Sequence, residues 1–452
     1  MNPMEEKRKA FATLVKLSLP AVMQQLMGSL LQYVDTAMVG HLGEAATAAV
    51  STSTTVNWLI HSIPYGLTVG VLSLLSQACG RDDRAEMKRL SALGCRLSLW
   101  LGLGLTAICL GISPFLPIWM QAAKAIRRPA SAYFFVVSLP LTFSVMSSMF
   151  ASAMHAVKDT RTPMMINLSA NALNVLLNYL LIYRLSLGVM GAAYATAIST
   201  TLGGVGMWAA YRSKEALRFG RQEYRTVNHA QLAHLLRVAM PVTCTSMVSC
   251  MGYIVFAGMV SGMGVTIFAA HSIAVTAEEI FYLPGYGIRT ATSALIGAAI
   301  GEGNRQKFLD TRNLSLWMTV ILMLVSGGIL FFTAYPLMCL FTSSEPVARM
   351  GAGALRIVAF SEPFFGLMVA WEGISYGTGR TKSVFLIDSL SMWGVRILLT
   401  WLVVRAGYGL NAVWYCMIAD NVVKAVALTI CGLLRKEYFR TPDETQPQTV
   451  PS

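Results

Sequence analysis

An all-α membrane protein, with twelve transmembrane helices in two pseudo-symmetric six-helix bundles and both termini cytoplasmic, is predicted by three observations. They are a charge-poor composition, twelve apolar runs of spanning length, and a repeat that lays one half of the chain on the other. Hydrophobic residues make up 55% of the 452, and only 13% are charged. A soluble globular chain carries charge on roughly a quarter of its residues. The mean hydropathy of +0.57 agrees.

Crossing the hydrocarbon takes about 20 mainly apolar residues per helix. Twelve such runs begin near Lys16, Ala45, Ser91, Ala130, Met164, Gly188, Arg237, Phe268, Asn313, Ala352, Ser383 and Tyr408, and the last ends near Arg435. Helices are the open-chain way to satisfy backbone hydrogen bonds in lipid, so the all-α reading follows. The first ten residues are charged and lead into a full-length span, so no cleavable signal is expected.

The net charge of +13 raises the question of nucleic acid, and its distribution answers it. The tails and alternate loops hold about 24 of the 35 Lys and Arg. The opposite loops hold about 6: Lys124, Arg127, Arg128, Arg184, Arg349 and Arg405. That asymmetry follows the positive-inside rule and sets both termini in the cytoplasm of a multi-pass protein of the cell membrane. Basic residues scattered over short segments argue against a nucleic-acid partner. The cluster Lys124 to Arg128 stands against the rule and has no explanation in the sequence. The eight cysteines show no metal spacing and read as small packing residues.

An offset of 221, the separation of Pro20 and Pro241, also superposes Tyr65-Gly66 on Tyr286-Gly287, Gly80 on Gly301, Arg84 on Arg305, Thr160 on Thr381 and Gly188 on Gly409. The predicted organisation is a cytoplasmic tail (1–15), a first six-helix lobe (16–211), a cytoplasmic linker (212–236), a second lobe (237–435) and a C-terminal tail (436–452). Because six is even, both halves enter from the same side. Repeats of this kind in polytopic proteins belong to transporters working by alternating access.

The string LSLPAVMQQL, followed by VDTAMVGHLG, SQACGRDDRAE, VKDTRTPMMINL, NVLLNYLLI and LGVMGAAYATAIS in that order, resembles the multidrug and toxic compound extrusion (MATE) family over about residues 12 to 435. The resemblance implies a twelve-helix antiporter, without enzymatic activity, that expels organic, mostly cationic compounds in exchange for protons or, less favoured here, sodium ions. It implies small organic cations and membrane lipid as partners, a monomer, and no cofactor beyond the coupling ion. A flippase for lipid-linked oligosaccharide precursors, from the same superfamily, is the alternative; a basic central cavity would mark it.

Candidate site residues come from the polar positions inside the spans. An ionised carboxylate in hydrocarbon needs a partner, water or a proton, so Asp35 in LLQYVDTAMVG demands a reason. Gln24, Gly28, Gln32 and Asp35 form one helical stripe, and Asn167, Asn171, Asn174 and Asn178 form another on the fifth span. At roughly 1.5 Å per residue, Asp35, Asn178, Thr196 and Asn174 all lie within about 15 Å of the outer ends of their spans. Asn174, Asn178 and Thr196 match the family's cation-coupling constellation, and Asp35 matches its first-helix aspartate. Many relatives of this pattern carry an aspartate where Asn178 stands, and losing that carboxylate weakens the case for tight sodium binding. Shifted by 221, the four positions become Phe256, Val395, Leu399 and Met417, so the polar set occupies one lobe alone.

Gln24, Gln32, Asn171, Glu278 and Glu279 are candidate substrate contacts, and Pro20 is a candidate hinge. Glu278 and Glu279 precede a Pro-Gly pair expected to break their helix. Glu372 and Asp388 read as solvated or loop-pairing near cytoplasmic ends, Asp420 and Lys424 as a local pair four residues apart, and Arg396 as the partner of one of the glutamates. The family's sodium-coupled members carry acidic residues where this chain has Ser249 and Phe365. No histidine has metal-ligand spacing, so no metal is expected.

Overall fold

The computed structural model describes residues 3–226 and 228–434. The C-terminal tail from 436 lies outside the described residues. Among them every regular element is a helix. Eight helices are individually long and apolar enough to cross a membrane. Two bent pairs, Lys124–Ser138 with Leu141–Ala156 (41°) and Glu345–Ala359 with Glu362–Thr378 (54°), supply two more spans. Gly188–Ser213 and Val265–Gly301, at the positions of the other two predicted runs, are continuous helices of 26 and 37 residues that do not reach that apolar standard. The helices start several residues before the apolar runs do, at Arg84 where the run begins near Ser91 and at Arg305 where it begins near Asn313. Their opening turns are rich in charge, with Met87, Leu90 and Phe308 as buried apolar members.

The repeat holds at the level of the backbone. Shifted by 221, Glu44–Gly80 falls on Val265–Gly301 and Lys124–Ser138 on Glu345–Ala359. The helix starts at Arg84 and Arg305 are capped alike. The Asp83 carboxylate accepts from the Glu86 amide at 2.9 Å, and the Asn304 side chain accepts from the Lys307 amide at 2.9 Å. An N-cap acceptor satisfies one of the orphan donors of the first helical turn. The turns match too. Asp82, Lys158 and Ser186 adopt positive φ (53°, 64° and 53°), and the offset puts glycines with φ of 65°, 74° and 78° at Gly303, Gly379 and Gly407. Glycine takes that conformation at little cost, so the second half has the less strained version of each turn.

Two compact units emerge. One is Met23–Thr243; the other joins the residues up to Val22 to those from Cys244 on. The units therefore divide the chain inside the first and seventh spans, just past Pro20 and Pro241, whereas the sequence repeat divides it in the 212–236 segment. Within the second unit Leu14 and Leu17 pack with Ala291 and Leu295. Helix Val265–Gly301 meets the first span at Gly287, where an added Cβ would lie 2.5 Å from the Val22 nitrogen. Within the first unit the symmetry-related Gly66 lies against Thr243 and the carbonyl of Ala239. Each pair brings two helix backbones into contact through one absent side chain.

The polar segment after Tyr211 is partly folded onto the first unit. Leu217 and Phe219 are buried, Arg212 donates to the Phe219 carbonyl at 3.1 Å, and a short helix, Arg221–Arg225, is capped by Glu223 accepting from the Gly220 amide at 2.9 Å. Lys214 pairs with Asp159 at 2.5 Å. Burial pushes the Asp159 carboxyl upward, but Lys214 and the Thr162 amide and hydroxyl outweigh it and hold the group below its ordinary range.

Candidate functional site

In the first unit four helices converge on Asp35. The first span carries it, and helix Arg161–Asn178 brings Asn174 and Asn178 on adjacent turns of one face. The Asn178 side-chain amide donates to Asp35 Oδ1 and, at 3.2 Å, to Asn174 Oδ1. Asn174 Nδ2 in turn faces Thr196 Oγ1 and Ser199 Oγ, each at 3.3 Å, from helix Gly188–Ser213. The Ser199 hydroxyl itself donates to the Thr196 carbonyl at 3.1 Å. Asn178 is fully buried, and its Oδ1 finds no protein donor. The fourth helix, Lys124–Ser138, contributes Tyr133 and Val136 to the apolar cluster with Val39 and Ile182.

The backbone is irregular at this point. A π-helical turn, Tyr179–Arg184, follows Asn178 directly. Such turns are rare and concentrate at functional sites. Its Tyr183 hydroxyl reaches back to the Met38 carbonyl at 2.9 Å, tying the two helices one turn beyond the aspartate.

The four predicted coupling residues are thus joined in one hydrogen-bonded chain, with Ser199 as a fifth member that sequence reasoning missed. Ser199 lies one helical turn after Thr196 (i, i+3), and that spacing was the available signal. The predicted substrate contacts are not drawn into this chain. Gln32 is exposed, and its carbonyl accepts from Thr36 at 2.9 Å. Gln24 is half-buried with an unpartnered Oε1, and Asn171 is half-buried. Glu278 (buried) and Glu279 (half-buried) belong to the other unit.

Several expectations for that second unit need correction. The helix holding Glu278 and Glu279 runs unbroken through Pro284 to Gly301, so the Pro-Gly pair does not break it. Arg396 bonds Asp420, at 2.8 Å, rather than either glutamate. Asp420 also accepts from Ser391 at 2.6 Å and pairs with Lys424 at 3.1 Å, as the spacing of four predicted. The Arg396 guanidinium reaches Asn421 at 3.2 Å and lies over the rings of Tyr253 and Phe256. It sits inside the second π-helical turn, Met392–Ile397, which turns its side chain inward against the last span.

Glu372 and Asp388, expected to be solvated or paired with loop residues, are buried. Glu372 pairs with Arg289, whose guanidinium lies 4.3 Å from the Tyr286 ring centroid. Asp388 sits two turns into helix Thr381–Ser391, on the face against the last span, with its Oδ1 unpartnered. Being near a helix end in sequence did not bring either residue to water. The positions related by the offset to Asp35 and Thr196, namely Phe256 and Met417, are core residues of this unit.

Comparison with known proteins bears on the whole chain. The MatE family model matches residues 20–180 and again 241–402. A probable multidrug resistance protein NorM of Thermotoga maritima is 27% identical over 431 residues, 94% of this chain and 92% of its own. The probable multidrug resistance protein YpnP of Bacillus subtilis is 25% identical over 385 residues, covering 85% of this chain and 86% of its own. Among solved structures, a MOP superfamily transporter from Pyrococcus furiosus aligns with a TM-score of 0.90 at 22% identity, over 96% of this chain and 97% of its own. The MATE transporter VcmN of Vibrio cholerae aligns with a TM-score of 0.90 at 18% identity, over 96% of this chain and 99% of its own. With the family model laid once on each half of the repeat, the chain belongs to the MatE family.

Proposed function

We propose that the chain is a multidrug efflux antiporter of the cell membrane, exporting small organic, mostly cationic compounds in exchange for protons by alternating access. Both termini face the cytoplasm, and Asp35 is the coupling carboxylate. The relatives' names support the transport of drugs and give no support to an enzyme. One observation carries the coupling role. Asp35 accepts from the neutral Asn178 amide, which is linked through Asn174 to the Thr196 and Ser199 hydroxyls, and it forms no ion pair among the described residues. A half-buried carboxylate inside a membrane protein, without a fixed counter-charge, is balanced by a mobile cation or by a proton.

The network suits a group that changes protonation state. An amide is both donor and acceptor. With Asp35 ionised, Asn178 Nδ2 donates to it. With Asp35 protonated, the new O–H needs an acceptor, and Asn178 Oδ1, buried and unpartnered, is that acceptor after the amide turns over. The second hydrogen bond of Asn178, to Asn174, then changes sense as well, so the state of one carboxyl is passed to a second helix. Movement of the first span about Pro20 follows in this reading. Neutral Asn178 supplies no second negative charge, which favours the proton over sodium.

Flipping an anionic lipid-linked saccharide would call for free basic groups within the membrane. The buried Arg396 and Lys424 are both tied to Asp420, which ranks that alternative second.

The test is reconstitution in vesicles with a fluorescent organic cation, imposing pH and sodium gradients separately. Transport driven by a pH gradient in sodium-free buffer is the expected result. Transport that needs sodium at fixed pH overturns the choice of ion, and movement of lipid-linked saccharide without cation export overturns the substrate class.

A further inference from the structure

The basic cluster that breaks the charge rule lies beside a cavity. In the first unit a space of about 490 Å³ is lined by Arg127 and Arg128 together with Leu110, Ile118, Phe135 and Met190. Its two serines are already engaged with each other: Ser113 Oγ donates to the Ser131 carbonyl at 2.8 Å. Arg127 donates through Nε to the Ala122 carbonyl at 2.9 Å, which fixes the guanidinium and leaves its terminal nitrogens without an acceptor among the described residues. Lys124 and Arg128 form no ion pair among the described residues.

Three cations at the start of helix Lys124–Ser138, with no acidic residue in its first turn, also oppose the helix dipole. The second lobe serves as a control. At the related helix start the offset turns Lys124 into Glu345 and Arg128 into Arg349, and these two pair at 2.6 Å. That helix neutralises its charge internally, and its counterpart does not.

The surroundings say what kind of anion fits. Exposed apolar side chains continue from the cavity along the same helices, including Ile108, Phe135 and Leu139. Phe115 and Trp119 stack beside it with centroids 6.1 Å apart and are both exposed, in the manner of aromatic residues at a membrane interface. A soluble anion has no use for such walls, and a neutral lipid has no use for two unpaired guanidinium groups. We propose that this cavity binds one anionic phospholipid of the leaflet facing the Lys124 end. The headgroup phosphate lies at Arg127 and Arg128 in this proposal, and an acyl chain runs along Phe135 and Leu139. The proposal rests on the membrane fold alone, not on the coupling reading.

The experiment uses the full chain in nanodiscs containing phosphatidylglycerol and phosphatidylcholine, with protein-bound lipid counted by native mass spectrometry. Juxtamembrane basic residues contribute about 1 kcal/mol each toward anionic lipid. Wild type is expected to retain phosphatidylglycerol preferentially, and Arg127→Gln/Arg128→Gln to lose that preference on the order of tenfold. Ala132→Trp, which fills the cavity and keeps both arginines, is expected to lose the lipid too. Circular dichroism and monodispersity check that each variant is folded. Equal retention of the two lipids by wild type overturns the proposal, as does full retention by either folded variant. Displacement of the lipid by millimolar inorganic phosphate overturns the lipid in favour of a simple anion site. No gradient is involved, so this result and the antiport assay succeed or fail separately.

Discussion

Asp35 in the first lobe lies among amides and hydroxyls, whereas Asp420 in the second lies between Arg396 and Lys424. The two lobes share several helix starts, caps and turns, yet these two aspartates are partnered in opposite ways. A fixed pair satisfies itself and has nothing to exchange. A carboxylate served only by neutral dipoles must take its counter-charge from solution. Under the proposed coupling role, the difference separates a site that holds the fold from one that turns over, although both look alike as acidic residues inside spans.

The largest effect should come from breaking the fixed pair. Asp420→Asn leaves Arg396 and Lys424 buried without their shared carboxylate, at a cost of about 3–5 kcal/mol. Thermal unfolding in detergent should show a large drop, with loss of expressed protein; an unchanged unfolding temperature would remove the contrast. Asp35→Asn should leave unfolding nearly unchanged, since the neutral hydrogen bond it alters is worth about 0.6 kcal/mol on average. The same variant should lower the gradient-driven accumulation ratio by about 5- to 150-fold, the span of ordinary coupling free energies. Normal drug resistance in cells carrying it would refute the assignment.

The close approaches should behave alike in the two lobes. Gly66→Ala and Gly287→Ala each force a Cβ against helix backbone, and each should destabilise by about 1–3 kcal/mol. A large cost in one and none in the other would show that the lobes do not share this contact. The smallest effect is expected at Asp159. Its carboxyl is held below the ordinary range, so the stability it contributes is present at neutral pH and fades as pH falls through its lowered pKa. Asp159→Asn should therefore cost up to about 1 kcal/mol at pH 7 and less in acid, measured by unfolding at both pH values.

Much of this was legible from the residues. Hydropathy gave most of the spans, and the offset gave the pairing of elements down to the helix starts at Arg84 and Arg305. The polar stripes gave Asp35, Asn174 and Asn178, because a helix in lipid has few reasons to align such groups. What the sequence hid was depth and partner choice in the second lobe. Glu372 and Asp388 sit near helix ends in sequence, but burial depends on which face a neighbouring helix covers. Arg396 chose Asp420 because a π-helical turn rotates it toward the last span, and no period-3.6 reading anticipates that extra residue. The unbroken helix through Pro284 is a similar case, since proline can be accommodated where neighbouring groups take up the freed carbonyl.

The first and seventh helices each change units partway along, and this constrains the order in which the molecule can be made. Leu14 and Leu17 leave the ribosome some 270 residues before Ala291 and Leu295, the side chains they rest against. The opening segment must therefore wait, inserted but undocked, until most of the polypeptide has been synthesised. A fragment ending in the 212–236 segment would lack both its docking surface and the Thr243 face that covers Gly66. Two separately expressed halves should thus mature only when they are present together.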